Sequence, residues 1–328
     1  MSDLAPLAEA VAVDPLVGHP ADYHVFHKFL ARCKSLPAIT TAVCWPLSDV
    51  ALRGTVEAAA EGLIQPTLIG PEGEMKALAA RIGVDISAFP ILHAETEAKA
   101  AEISVAMCRS GNAQAMMKGS LHTDELMKVA MHRDLGLRTS RRITHVFVMD
   151  TPAYPRTLLI TDAAINIEPE LEDKIHIVQN AIDLAHALGI PVPKVALLSA
   201  IETVNPKIKS TLDAAALCKM ADRGQITGGI LDGPLAFDTA VSVKAASIKN
   251  LVSPVTGQAD ILVVPDLESG NMLAKQLEYL GGAQLAGIVL GARVPVILTS
   301  RADSAETRLT SCAVAVLLHY DTHPLEKA

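Results

Sequence analysis

The stretch Lys118-Gly119-Ser120-Leu121-His122-Thr123-Asp124 joins a short apolar run, AQAMMKG (113–119), to a helical pattern beginning near Thr123. A lysine beside a glycine and hydroxyls at a helix start offers one anion an ammonium, free backbone N–H groups and the positive end of the helix dipole. The GxxxxGK[ST] pattern is missing, so this is not a Walker phosphate loop. A second such junction is VPVILTSRADSAE (294–306), where an apolar run stops at Thr299-Ser300 and Arg301 stands at the edge of a helix start. A guanidinium there is a planar fork suited to phosphate or carboxylate. Further polar residues follow other apolar runs: Thr161-Asp162 through Asn166, Asp232-Gly233 through Asp238, and Asp266 with Glu268, Gly270 and Asn271. In open α/β sheets, ligands bind beyond the C-terminal ends of the strands. Small, polar and charged residues at strand end after strand end therefore predict one large polar cleft.

Each piece also has a plainer reading. A strand-end aspartate such as Asp232 or Asp266 is more often a helix cap or turn former. Gly119 and Gly270 serve tight turns equally well, and His122 alone is as readily a capping or packed histidine as a ligand. Other chemistries find little support. The glycines of GGAQLAG (281–287) follow a helical pattern instead of a strand, which argues against a dinucleotide fingerprint. His24/His27 and His319/His323 have helical spacing but no third ligand, so no metal site is expected. GxSxG is absent, and nothing indicates covalent catalysis.

The elements that must position these residues follow from composition and pattern. Half of the 328 residues are hydrophobic but only 3% are aromatic, so the core must be built from Ala, Leu, Ile and Val. That suits helices packed on parallel strands. A formal charge of −8 argues against nucleic acid as a partner, and Arg138-Thr139-Ser140-Arg141-Arg142 is too short a basic stretch to reverse it. Five dispersed cysteines fit free thiols in a reducing compartment. The N-terminus lacks a positive region before its apolar residues, and no apolar run approaches the roughly 20 residues that cross a bilayer. A soluble, cytoplasmic protein without membrane contact is expected.

Strand-like and helix-like segments alternate from about residue 21, after a mobile lead-in over 1–20. This rhythm predicts a mostly parallel sheet covered on both faces. HVFVMD (145–150) and RTLLITDA (156–163) are joined by TPAYP, too short for a crossover helix, and should pair as an antiparallel hairpin. Roughly ten strands exceed one tidy sheet, so two α/β lobes are expected. The first spans 21–140 plus 292–328 and the second 141–291.

Assembled in order, MKGSLHTDELM, LLITDAAINIEP, KVALLSAIETVNPK, DGPLAFDTAV, PDLESGNMLAKQL and GIVLGARVPVILTSRADS resemble the phosphate acetyl/butyryl transferase family from about residue 22 to 320. The likeness is greatest to its butyryl-type members and to the acyltransferase part of proteins carrying a fused hydratase-like domain. It implies exchange of a short acyl group between coenzyme A and inorganic phosphate, through a ternary complex. It also implies two α/β lobes similar to isocitrate/isopropylmalate dehydrogenases, a site in the cleft between them, homodimers or higher homo-oligomers, and no obligatory cofactor or metal. Coenzyme A would be a substrate.

By that resemblance Ser300 and Arg301 act at the transferring group, and Lys118, Gly119, His122, Thr123 and Lys128 line the phosphate side. Asp162, Asn166, Gly270 and Asn271 complete the cleft. Two positions depart from the family. Its proposed base, an aspartate a few residues past the arginine, falls on Thr307 here, which leaves nearby Asp303 as the favoured base and Glu306 behind it. Lys128 replaces a common arginine, keeping charge without the fork. Two other functions stay in view: a non-catalytic protein that binds coenzyme A or acyl phosphate, and a metal-dependent decarboxylating dehydrogenase on the same fold.

Overall fold

The structure, a computed structural model, describes residues 24–300 and 303–325. The expected lead-in and Arg301 lie outside the described residues. The chain opens with α1 (His24–Cys33), β1 (Ile39–Cys44), α2 (Asp49–Ala60), β2 (Ile64–Gly70), α3 (Glu72–Ile82), β3 (Ile91–His93), α4 (Glu97–Arg109), β4 (Ala115–Lys118) and α5 (Thr123–Ala130). Then come β5 (Thr144–Asp150), β6 (Leu158–Thr161), α6 (Leu171–Ala187), β7 (Lys194–Leu198), α7 (Lys209–Asp222), β8 (Ile230–Leu235), α8 (Phe237–Val241) and α9 (Val243–Ile248). It closes with β9 (Ile261–Val263), α10 (Leu267–Tyr279), β10 (Gln284–Leu290), β11 (Val296–Ile297) and α11 (Ala305–Thr322).

Local chemistry sets these boundaries. Ser48 and Asp266 accept hydrogen bonds from first-turn N–H groups of α2 and α10. Gly83 ends α3 in the left-handed conformation that favours glycine. α10 starts at Leu267 because Asp266 is its cap, which puts Gly270 in the first turn. α8 and α9 are two short helices broken at Ser242, whose backbone is extended and whose hydroxyl accepts from the Ala245 N–H to cap the second.

All eleven strands form one mixed sheet in the order β3-β2-β1-β4-β11-β10-β5-β6-β9-β7-β8. Strands from residues 39–118 and 296–297 occupy one side of the β11–β10 border, and those from 144–290 the other. The 145–163 hairpin forms as expected, β5 pairing antiparallel with β6. Its consequence is large. Beyond the β5–β6 reversal the crossovers keep the new direction through β9 and β10, until the antiparallel β10–β11 pair reverses it back. The C-terminal ends of β1 to β5 and β11 thus point to one edge of the sheet, and those of β6 to β10 to the other. The expectation of one cleft collecting every strand end is corrected here: parallel crossovers preserve direction, but each hairpin inverts it.

One face is covered without interruption, by a cluster that includes Phe29, Leu52, Met75, Ile177, Leu217 and Val316, from α1, α2, α3, α6, α7 and α11. The other face is divided. Ala101, Leu126, Val289 and Val296 pack under α4 and α5, while Phe147, Leu262, Ala274 and Leu285 pack under α8 and α10. Where these half-layers meet, over β11, β10 and β5, the ring of His145 lies beside Gly287. A Cβ on Gly287 would stand 2.2 Å from the Leu298 carbonyl oxygen and 3.3 Å from His145 Nε2. Only glycine fits this crossing.

Candidate active site

The first group of residues lies at the ends of β4 and β11. Lys118, the last residue of β4, is 2% exposed, and its Nζ donates to the Thr299 carbonyl at 3.3 Å. Gly119 turns the chain so closely against the end of neighbouring β1 that a Cβ would lie 2.3 Å from the Trp45 carbonyl oxygen. Its N–H donates to Cys44 O, and the next N–H, on Ser120, donates to Trp45 O, both at 2.8 Å. Trp45 itself has φ 56°, a left-handed conformation held by these contacts. His122 then takes the N-cap position of α5 without a side-chain cap bond, and Thr123 opens the helix beside Asp124 and Glu125. Lys128 is exposed in the last turn, five residues or roughly 7.5 Å along the axis from Thr123 at 1.5 Å per residue.

Ser300 and Asp303 sit beside Lys118. The Ser300 N–H donates to Asp303 Oδ2 at 2.6 Å, and the Asp303 N–H donates to the Ser300 carbonyl at 3.3 Å. The Asp303 side chain is fully enclosed, with Oδ1 3.7 Å from Lys275 Nζ. Beneath the turn lies Arg308, on α11 and 0% exposed, which donates to Lys118 O at 3.1 Å and to Ser300 O at 3.2 Å. Burial lowers its pKa, and the nearby Asp303 carboxylate partly offsets this. One guanidinium thereby ties the ends of β4 and β11 together. Three enclosed polar atoms in this corner make no hydrogen bond among the described residues: Thr299 Oγ1, Asp303 Oδ1 and Arg308 Nε. Lys275, from α10 of the other half, is half-buried. Burial would lower its pKa, but the Glu278 hydrogen bond and the Asp303 and Glu278 charges outweigh that and hold it raised.

The second group lies toward the opposite edge, at the loop after β6. Asp162 is 2% exposed and accepts from the N–H groups of His145, Ala164 and Ile165 at 3.1, 2.9 and 3.0 Å, and from the Asn166 amide. Burial nevertheless raises its pKa. Asn166 also donates to the Ile143 carbonyl and accepts from Arg142, whose guanidinium pairs with Asp173 at 2.6 Å. Gly270 lets α10 approach this loop, since a Cβ would lie 2.9 Å from Asp162 O. Asn271 Nδ2 donates to Ala163 O at 3.3 Å.

The structure thus brings Lys118, Gly119, Ser300 and Asp303 together, with His122 and Thr123 on the same edge. It brings Asp162, Asn166, Gly270 and Asn271 together elsewhere. Asp162 bonds to His145 near the start of β5, whereas Leu285, the β10 partner of Met149, lies near the other end. The four-residue step from His145 to Met149 spans roughly 13 Å of strand. Sequence reasoning missed Lys275, Arg308 and Arg142. For Arg308 a signal existed, an arginine directly preceding the largely apolar run of residues 309–318, which implies a buried partner. Thr307, the residue at the family's aspartate position, lies in the first turn of α11, where its N–H donates to the Ser304 cap at 3.1 Å. Glu306 instead accepts from Gln284 at 3.0 Å.

Comparison with known proteins follows the same lines. A family profile described as phosphate acetyl/butaryl transferase matches residues 96–316. The chain is 55% identical over 298 residues to a phosphate acetyltransferase of Rhizobium meliloti, covering 91% of this chain and 94% of the relative. It is 41% identical over 293 residues to a phosphate butyryltransferase of Clostridium acetobutylicum, covering 89% and 97%. Its fold is similar to the crystal structure of a branched-chain phosphotransacylase from Enterococcus faecalis V583, with a TM-score of 0.75 at 32% identity over 86% of this chain and 99% of that one. A 4-hydroxythreonine-4-phosphate dehydrogenase from Klebsiella pneumoniae shares the fold alone, with a TM-score of 0.54 at 12% identity, covering 86% and 99%.

Proposed function

Since the chain belongs to the phosphate acetyl/butaryl transferase family, we propose that its corner of Lys118, Ser300 and Asp303 is where the acyl group passes between coenzyme A and phosphate, and that Arg301 serves the same transfer. The protein is an enzyme of acyl transfer to phosphate, and neither the binding-protein nor the dehydrogenase alternative is favoured. The observation that carries the assignment is the joining of β4 and β11 by Arg308, which delivers Lys118 and the Ser300 turn to one place.

The reaction is acyl-CoA + phosphate ⇌ acyl phosphate + CoA. In the direction of thioester synthesis, the thiol of coenzyme A gives its proton to water and its sulfur attacks the acyl phosphate carbonyl. The tetrahedral oxyanion collapses and phosphate leaves with the carbon–oxygen bond pair. A free thiol has a pKa near 8.5, so nearby cations must favour thiolate at neutral pH. Arg301 holds the phosphate and steadies charge as the acyl group transfers, and the Lys118 ammonium adds a second positive charge to the site. His122, Thr123 and the α5 N-terminus line the phosphate approach. Lys128 reaches outward from the far end of that helix, where it suits a charged part of coenzyme A.

We assign Asp303 to orientation in place of proton abstraction. Its Oδ2 fixes the Ser300 N–H, and its enclosed side chain gives an incoming thiol no direct approach. Asp162 and Asn166 shape the opposite end of the seam by spending their hydrogen bonds on the main chain. No covalent acyl-enzyme is invoked. Burial pushes the Cys33, Cys44, Cys108 and Cys218 thiols up to about 12, and Cys312 higher still. Coenzyme A enters as a substrate, and no further cofactor is required by this scheme.

The acyl group is acetyl in this reading: against the expected greater likeness to butyryl-type members, the relative at 55% identity is named an acetyltransferase and that at 41% a butyryltransferase. The five free cysteines suit a reducing, cytoplasmic setting, and no helix among the described residues is long and apolar enough to cross a membrane. Homodimers are proposed from the exposed apolar residues of α9 and the segment after it. The test is a panel of acyl-CoA substrates of increasing chain length, assayed with phosphate for release of free thiol. Turnover should be fastest with acetyl-CoA. No thiol release with any of them would overturn the assignment.

A further inference from the structure

On the edge of the sheet away from Ser300 there is a cavity of about 660 Å3. It opens between the C-terminal ends of α4 and α11, the turn joining β10 to β11, and α6. Gln114, in its wall, immediately precedes β4, so four residues of strand, roughly 13 Å, separate it from Lys118. The volume falls within the range of small-molecule sites.

The lining reverses the sign of the protein's charge. Arg109, Arg141 and Arg293 face a single carboxylate, Asp183, in a chain whose formal charge is −8. Asp183 is already engaged by Arg141 at 3.2 Å. Arg109 and Arg293 make no side-chain hydrogen bond or ion pair among the described residues. Arg109 ends α4, where a cation answers the helix dipole. Arg293 belongs to no helix, so the dipole gives no account of it.

The position of Arg293 is built into the turn. Its N–H donates to the Leu137 carbonyl at 2.9 Å. Gly291, at φ 76°, brings the turn so close to the Arg142 carbonyl oxygen that a Cβ would lie 2.1 Å from it. The same lining includes apolar side chains at Leu290, Val294 and Pro295. It continues into the stacked rings of His319 and His323, whose centroids are 4.8 Å apart with planes 17° apart. Guanidinium forks together with ring and aliphatic groups in one lining suit an amphipathic anion.

We infer that this cavity is a second ligand site, separate from the acyl-transfer corner, for a small polyanion. Its phosphate or carboxylate groups engage Arg109, Arg141 and Arg293, and its ring or aliphatic body lies against Val294 and His323. The test is isothermal titration calorimetry on the full chain, with acetyl phosphate saturating the transfer corner. ATP, pyrophosphate and citrate serve as probes, which separates phosphate from carboxylate ligands and ring-bearing from ring-free ones. At least one probe should bind once per chain. The double variant Arg109→Ala/Arg293→Ala should weaken that binding tenfold or more, while KM for acetyl phosphate and coenzyme A stays unchanged. Because KM is read in the same variant, failure of the cavity and failure of the transfer assignment are distinguishable. Absence of heat with all three probes, equal binding by the variant, or displacement by coenzyme A would overturn the inference.

Discussion

A single guanidinium, Arg301, is asked to hold phosphate and to steady developing charge in the transfer reaction. Arg301→Ala should lower kcat by two or more orders of magnitude with the far-ultraviolet circular dichroism unchanged, and Arg301→Lys should recover little, because an ammonium lacks the fork. Near-normal acyl phosphate formation by Arg301→Ala would remove it from the mechanism. Asp303 allows a finer separation. Asparagine keeps an oxygen that accepts the Ser300 N–H but cannot take a proton, whereas alanine removes both capacities. Orientation predicts that Asp303→Asn retains most of kcat/KM with an unaltered pH profile, while Asp303→Ala loses it. A large loss in the asparagine variant would restore Asp303 as the base. His145 gives a pH signature of its own. Burial lowers its pKa from 6.5 to about 3, with its ring close to Leu298 but in no hydrogen bond of good geometry. The unfolded chain therefore takes up this proton first. Stability from this residue is complete above pH 6.5 and is lost progressively as pH falls toward 3. Urea unfolding between pH 6.5 and 4.5 should show a steeper pH dependence in the parent than in His145→Phe, and equal slopes would contradict a neutral buried imidazole.

At the scale of elements, two glycines decide whether strands can deliver their residues. Gly119 and Gly287 each hold a crossing at which an added Cβ would meet a main-chain carbonyl at 2.3 or 2.2 Å. Gly119→Ala must displace the Lys118–Ser120 turn from Trp45. It should cost about 1–3 kcal/mol of stability, as overpacking typically does, and should reduce kcat as well, since Lys118 moves with the turn. Melting and turnover measured together check both, and a variant with parental values of each would show that the turn tolerates the methyl group. Much at this scale was readable in advance. The caps at Ser48 and Asp266, the long helix ending before Gly189 and the 145–163 hairpin all follow from side chains acting on their own backbone, over a few residues. The β10–β11 reversal was not among them: the sequence suggested a single hairpin, at 145–163, and only pairing in the sheet shows the second change of strand direction.

The whole molecule adds what no element holds alone. Val243, Ile248 and Val252 are 61, 72 and 98% exposed, an apolar surface that fits the proposed homodimer contact. Ile248→Asp/Val252→Asp should shift the mass measured by light scattering from dimer to monomer. A parental mass of the double variant would place any subunit contact elsewhere. The division of one sheet face into two half-layers, set against a continuous layer on the other, likewise belongs to this scale. It leaves Lys275 of α10 reaching across to Asp303 on the chain that leads into α11.

By itself the sequence determined the α/β class, the order of most elements and the family, because hydrophobic period, caps and turn residues are local and the ordered motifs are contiguous. Only the tertiary structure decided that Lys118 and Ser300 share one corner while Asp162 and Asn166 are held in another. It also showed that Arg308 joins the first pair and that Asp303 is enclosed by its own turn. Those outcomes depend on strand order and direction across the sheet. Pairing of residues more than a hundred positions apart sets that order, and no local pattern in the chain records it.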